Sequence, residues 1–336
     1  MATVVGATVA TLLDIAKRMD PDGSIASIAE LLTQTNEMLL DMPFREGNLP
    51  TGDMVTIRTG LPAVAWRLLN KGVVPSKSTT AQITEQCGLL EAWSEVDPEV
   101  ANLNGNVGAF RLSEAMAFIE AMNQEMASVF WYGNSGINPE KFTGLSPRFS
   151  SSSAGNGQNV IKAGATGADN TSVWLVGWGE NTVSGIYPKG SVAGLQHYDY
   201  GEQTVQSAST GGIGTERMRA LQERFVWKCG IRVKDWRYIV RICNIDVSNL
   251  VSESSAADIW KQLTFAVARI PNMAACRPVI YMNRTVYEMF TIQRREAVQT
   301  GGQLKYEVVD GQWIPYFQGI PIRRSDQILL TETLVS

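Results

Sequence analysis

The sequence predicts a mixed α+β protein. Three observations carry this: two stretches with apolar residues at helical spacing, a central region from Ser172 to Val247 rich in β-branched and aromatic residues, and a C-terminal part from Ser255 onward in which helical and strand patterns alternate. A chain of 336 residues with 44% hydrophobic content can bury a large core. Its 29 basic and 33 acidic residues give a net charge of -4, and no block of like charge forms an arm for tight nucleic-acid binding.

The first element is an amphipathic helix from Ser24 to Leu40. Ile25, Ile28, Leu31, Leu32, Met38 and Leu39 recur at helical spacing, Ser24 can cap the start and Pro43 closes the segment. The turn-rich "REGNLPTGD" follows, so the apolar face can lie on the domain's own core or on another surface. Between Gly52 and Val96, "MVTIRTGLPAVAWRLL" and "TTAQITEQCGLLEAWS" flank "NKGVVPSKS" and read as a long two-stranded arm. An isolated hairpin is only marginally stable in water, so the arm needs a surface that a neighbour could supply. Trp66 and Trp93 both fall in this predicted arm, where little local core exists, which favours an intersubunit role for them.

A helix is expected from Ser113 to Tyr132. Met116, Ile119, Met122, Met126, Val129 and Phe130 make one stripe, read as a core face, with Glu114 near the positive N-terminus and Gly133 at the end. "SSSSAGNGQNVIKAGATGADN" reads as a long surface loop. In the β-rich region "SVWLVGWG" and "TVSGIYP" are joined through Gly179, Glu180 and Asn181, and "RFVWKCGIRV" and "WRYIVRICNID" are further strands, with "STGGIGTER" a loop. Ser255-x-x-Asp258 resembles a capping box for a helix stopped by Pro271. "PVIYM" is a strand, Asn283 caps a helix through Arg294, and "LKYEVV" and "WIPYFQGIPIRR" are strands.

Little chemistry emerges. Gly177 and Gly179 are followed at the third-glycine position by Thr182, and in "GGIGTER" Arg217 takes that position, so neither is a dinucleotide fingerprint. The glycines are read as serving turns, bulges and close backbone approach. The one histidine, His197, has no nucleophile elbow to serve; with Asp199 it makes a weak metal pair, and a loop histidine bonded to backbone or water is the simpler reading. Asp20/Asp22 and Glu95/Asp97 read as solvated caps and turns. The four cysteines contain no C-x-x-C pair, which fits a reducing compartment, and no apolar run reaches the roughly 20 residues of a membrane span.

The order of features resembles a known family. An N-terminal helix, a hairpin with "RTGLPAVAWRLLNKGVVPSKS", and a long helix running into "FWYGNSGINPEKFTGLSPRF" are similar to the major capsid proteins of tailed bacteriophages with the Hong Kong 97-type fold. "PVIYMNRTVYEMF" and "FQGIPIRRSDQILLTETL" look like the family's axial-domain strand and helix and its closing strand, and "SVWLVGWGENTVSGIYPKGS" and "DWRYIVRICNID" are similar to a podovirus subgroup.

The resemblance implies an N-terminal arm over 1–45, an extended loop over 46–100, a peripheral domain over 101–250 with a spine helix at 113–132, and an axial domain over 251–336. "FVWKCGIRVKDWRYIVRICNID" precedes the axial-like segment, so a permuted strand order is expected. It implies a non-enzymatic virion protein, with no cofactor, metal or catalytic residue. The chain is expected to self-assemble through hexamers and pentamers into an icosahedral shell, T=7 being the expectation, around double-stranded DNA bound without sequence specificity. Expected partners are a portal protein, a separate scaffold and a cement or decoration protein. Synthesis is expected in the bacterial host cytoplasm, with no membrane involved. Intersubunit contacts are expected from Ile28, Leu31, Leu32 and Leu39 of the arm, from Leu61, Pro62, Trp66 and Leu68 of the loop, and from Trp93. A β-rich carbohydrate-binding or tail-associated virion protein and a soluble nucleotide-binding enzyme are the rival readings. The first leaves the amphipathic arm and long helix unexplained, and the second fails on glycine spacing.

Overall fold

The structure, a computed structural model, describes residues 34–102, 106–206, 217–253, 256–298, 306–309 and 312–336. The expected helix over Ser24–Leu40 lies mostly outside them, with Ile28, Leu31 and Leu32. The described residues 34–37 are not helical, since Asn36 forms a β-bridge with Ser325, so the helix expected to run to Leu40 is broken there and a separate single turn, α1 (Met38–Asp41), follows. The strands are β1 (Phe44–Glu46), β2 (Gly52–Gly60), β3 (Thr79–Gln86), β4 (Gly88–Val96), β5 (Val160–Lys162), β6 (Asn170–Trp178), β7 (Val183–Tyr187), β8 (Leu195–Gln206), β9 (Arg217–Val233), β10 (Ile239–Asp246), β11 (Arg277–Met282), β12 (Tyr306–Val309), β13 (Gln312–Phe317) and β14 (Ile320–Arg324). The remaining helices are α2 (Pro98–Ala101), α3 (Val107–Tyr132), α4 (Val247–Val251), α5 (Ile259–Arg269) and α6 (Arg284–Val298). The chain divides into two compact units, one containing Leu89–Ala127 and Gly194–Lys228, the other Asn36–Gly88, Ser128–Ala193 and Cys229–Ser336.

In the first unit, β8 pairs antiparallel with β9, and β4 lies beside β9. Alternation along β9 puts Phe225 and Glu223 on one face, against the first turns of α3. There Phe118 stacks on Phe225 at 5.9 Å, and Arg111 bridges Asp199 and Glu223 at 2.7 and 2.5 Å. Val96, Ala101 and Phe110 form its small core. Helix α3 starts six residues before the expected Ser113, capped by Asn106, whose side chain accepts from Ala109 N. Glu114 therefore lies in the second turn and gains little from the helix dipole. The stripe is a core face only in its C-terminal half: Met122, Met126, Val129 and Phe130 are buried, whereas Met116 and Ile119 are exposed. His197 sits in a strand and not in a loop. Its ring stacks on Phe225 at 4.8 Å and faces Glu223 at 3.2 Å, which accounts for it structurally.

The second unit centres on β6, every residue of which is buried. β6 pairs antiparallel with β10 and β11, β11 runs parallel to β14, β5 runs parallel to β10, and Gly230–Val233 of β9 pairs with β7. The expected surface loop after residue 149 thus contributes a buried strand, because Val160 and Ile161 fit the apolar edge of β10. Helices α5 and α6 cover the sheet through Ile259, Leu263, Val286 and Phe290. Asp258 caps α5 by accepting from Lys261 N at 2.9 Å, and α5 ends at Arg269, just before Pro271. β13 and β14 turn through Gln318 (φ 50) and Gly319 (φ 83), a left-handed pair that matches the twist of an antiparallel hairpin. This core draws on residues from Ile161 to Ile322, so the boundary expected at residue 250 passes through it.

The glycines of the β6–β7 stretch make close packing rather than left-handed turns. A Cβ on Gly177 would meet Cys276 Sγ at 2.7 Å, and one on Gly185 would meet the Phe44 ring at the same distance. Three tryptophans expected in the helix and sheet are fully buried: Trp131, Trp174 and Trp178 surround Tyr281 and Phe149. Beside them Arg241 and Glu332 pair at 2.8 Å, both buried. Arg241 also donates to Ser172 Oγ and Phe149 O and lies over the Trp174 ring, while Tyr132 and Ser172 donate to Glu332. That network ties the C-terminal segment to the sheet.

Candidate functional site

The feature that a packed core leaves unexplained is the β2–β3 hairpin. Its register runs from Gly52 opposite Gln86 to Gly60 opposite Thr79, with an irregularity at Arg58. Burial falls away along its length: Gly52, Asp53, Val55 and Glu85 are buried, and residues 61–77 are exposed throughout. Within the tip, Ser76 donates to Ala63 O, Lys71 N to Leu68 O, and Asn70 takes φ 64, so a few local bonds shape it.

An exposed segment of this kind is normally polar. Here Leu61, Val64, Leu68, Leu69 and Val74 are all exposed, and Trp66 is entirely so, at 103% relative accessibility. Arg67, Lys71 and Lys77 are interspersed, and no acidic residue lies between Leu61 and Ser78. A single subunit leaves this apolar, cationic surface uncovered, a composition that marks interaction sites.

At its base the hairpin is held firmly. Asn48 brackets Met54 with two backbone hydrogen bonds of 2.8 Å, and a Cβ on Gly52 would lie 1.9 Å from Glu85 O, so the strands meet closer than any side chain permits. Arg232 Nη1 donates to Asp53 at 3.0 Å, and Arg148 makes two parallel 2.6 Å bonds to Glu85. Next to this base Cys87 is half-buried, and burial, then the Asp53 charge, pushes its thiol up to about 12.

Four of the expected contact residues, Leu61, Pro62, Trp66 and Leu68, come together on the hairpin tip. Leu39 is half-buried in α1, whose Leu40 is the exposed apolar residue. Trp93 is not in the arm: the hairpin ends at Gln86 and Trp93 belongs to β4 of the other unit. It has partners of its own there, stacking on Tyr200 at 5.7 Å, donating to Glu91 and lying beneath Arg224. The sequence signal for a single long arm ran on because β3 and β4 are separated by only Cys87. Exposed Leu112, on α3, was not anticipated and extends the Met116–Ile119 stripe by one turn.

Among the described residues no group of three or more His, Cys, Asp or Glu is arranged to hold a metal ion, and no helix is long and apolar enough to cross a membrane. An open trough of about 560 Å³ lies between the hairpin and Lys234–Arg237.

Comparison with known proteins gives the arrangement a context. The family model "Major capsid protein GP7" matches residues 20–336. A chain of the near-atomic structure of bacteriophage epsilon15 is 34% identical, with 99% of each chain covered and a TM-score of 0.74. A chain of the capsid of the native GTA particle is 11% identical, covering 67% of this chain and 95% of its own, with a TM-score of 0.46. One from the SrpI encapsulin complex of Synechococcus elongatus is 12% identical, covering 66% and 91%, with a TM-score of 0.41. No curated protein matches the chain.

Proposed function

The chain belongs to the major capsid protein GP7 family, with the α+β Hong Kong 97-type phage capsid fold, and from that premise we propose that its hairpin tip is the element by which one subunit lies across the next. It is a structural protein of a bacteriophage virion, and it self-associates into capsomers. The proposal concerns how. The observation that carries it is the tip from Leu61 to Ser78, apolar and uncovered in one chain yet rigidly rooted at its base. Many modest contacts between identical subunits, closed by symmetry, then sum to a stable shell. Leu61, Pro62, Trp66 and Leu68 supply the apolar contacts, and Ile28, Leu31, Leu32 and Leu39 those of the N-terminal arm. Trp93 contributes as a partly exposed surface of the other unit.

The finer reading is an icosahedral shell of hexamers and pentamers, with T=7 as the expected lattice, enclosing double-stranded DNA without sequence specificity. The near-neutral charge supports this, since a strongly basic wall would hold the genome tightly. A portal protein, a separate scaffold and a cement protein complete the particle, the subunit is made in the host cytoplasm, and no catalytic role is proposed.

The test replaces residues 61–78 by a two-residue Asn-Gly turn joining Gly60 to Thr79. The shortened chain is expected to stay folded by circular dichroism and to form no closed particle in electron micrographs. Closed particles from it would overturn the assignment.

A further inference from the structure

Asp53 and Glu85 are direct cross-strand partners at the root of the hairpin, and both are buried. Directly opposed residues of an antiparallel pair project from the same face with their Cβ atoms about 5 Å apart, and like charges there repel. A buried carboxylate pair across the second rung of a hairpin would therefore force the strands apart unless other groups neutralise it.

Each has its own arginine, and each arginine comes from a different part of the same unit. Arg148, in the turn after α3, grips Glu85 with both terminal nitrogens and is itself fixed by bonds to Thr143 O and Gly144 O. Arg232, on β9, donates to Asp53 and to Glu180 O. The bidentate geometry fixes direction as well as distance. Beyond this rung the Asn48 side chain still holds Met54, and farther out all but Val55 of the hairpin is exposed or half-buried. The hairpin is thus anchored at its root, where four charges meet beside Asn48, whose N–H also donates to Asp53 at 3.1 Å.

We infer that Asp53, Glu85, Arg148 and Arg232 form an electrostatic hinge lock: two mutually repelling carboxylates held down by two arginines of the body, which give the hairpin one direction in the free subunit and let it take another once either arginine is displaced. The lock is a property of one chain. Only its consequence, presenting the tip correctly to a neighbour, rests on the proposed function.

The experiment uses the full-length chain at dilution, before any assembly, so it does not depend on whether shells form. Spin labels are placed on Gly72→Cys at the tip and on Ala154→Cys, an exposed position in the same unit, and the distance between them is measured by pulsed electron resonance. Burial raises all four native thiols, so the introduced cysteines label first. The intact lock is expected to give one narrow distance distribution. Arg148→Met, which leaves two facing carboxylates with one arginine, Arg232 on Asp53, should broaden and shift it, and Arg148→Met with Glu85→Gln should restore much of the narrowing. Restoration separates a charge lock from simple packing, in which the double variant would be as broad as the single. Should Arg148→Met fail to fold, Asp53→Asn with Glu85→Gln carries the test, with broadening expected. Unchanged distributions in Arg148→Met or in Asp53→Asn with Glu85→Gln, or no restoration in Arg148→Met with Glu85→Gln, would overturn the lock.

Discussion

Replacing Trp66 by Ala separates an assembly role from a folding role. The side chain is fully exposed in the subunit, so its removal breaks no intramolecular packing, and the unassembled chain should keep its stability within about 0.5 kcal/mol. An aromatic side chain carries about 200 Å² of surface. At about 25 cal/mol per Å², burying it against a neighbour is worth about 5 kcal/mol before costs. Incomplete burial and the ordering of the tip reduce this to about 3 kcal/mol, within the range of interface hot spots. That is a factor on the order of 100 in each pairwise contact. Because the proposed contact recurs in every subunit, the concentration at which particles appear should rise steeply. Light scattering across a concentration series, with micrographs of the endpoints, reads the threshold, and urea unfolding of the dilute subunit reads stability. A variant that assembles at the wild-type threshold, or one that loses more than about 1 kcal/mol as a subunit, refutes the reasoning.

Other consequences follow from the buried groups. Glu332→Gln leaves Arg241 as an unpaired buried cation and should cost about 3 kcal/mol, seen as a lower urea midpoint; replacing both by apolar residues of similar volume should recover much of the loss. Cys87 provides a pH signature. Its thiol is raised from 9.0 to about 12 in the folded chain, so the unfolded thiol ionises first. The stability this group supplies is complete below about pH 9 and is lost as pH climbs toward 12. Cys87→Ser should therefore flatten the fall of the urea midpoint over that interval, and equal slopes for the two proteins would count against the assigned environment. The same burial predicts slow alkylation of Cys87 at pH 8 until the chain is unfolded.

Much of the architecture was written in local patterns. The run "SVWLVGWG" reads as a strand through its β-branched and aromatic content, and it lies in β6, which is buried throughout. Pro271 delimited α5 through its missing donor, whereas its cap is Asp258 itself and not the first residue of a Ser255-x-x-Asp258 box, and "WIPYFQGIPIRR", read as strand, is split into β13 and β14 by the turn at Gln318 and Gly319. The tip was legible only as part of the arm: "MVTIRTGLPAVAWRLL" reads as one strand-like run, whereas β2 ends at Gly60 and Leu61, Trp66 and Leu68 lie beyond it among prolines, glycine and lysines.

What local patterns left open was which apolar residues find partners within the chain. Trp66 and Trp93 look alike in sequence, yet Trp93 lies on a strand that reaches Tyr200 and Arg224. The Met116–Phe130 stripe has unbroken periodicity, but whether a helical face is covered depends on what the sheet delivers to it, and burial begins only at Met122. The same holds for charges. Nothing near Asp53 or Glu85 announces Arg232 or Arg148, which are 179 and 63 residues away. Sequence determines what each segment prefers to be, because propensity and periodicity act over a few residues; the tertiary fold alone decides which segments meet, because burial and ion pairing are set by distance in space.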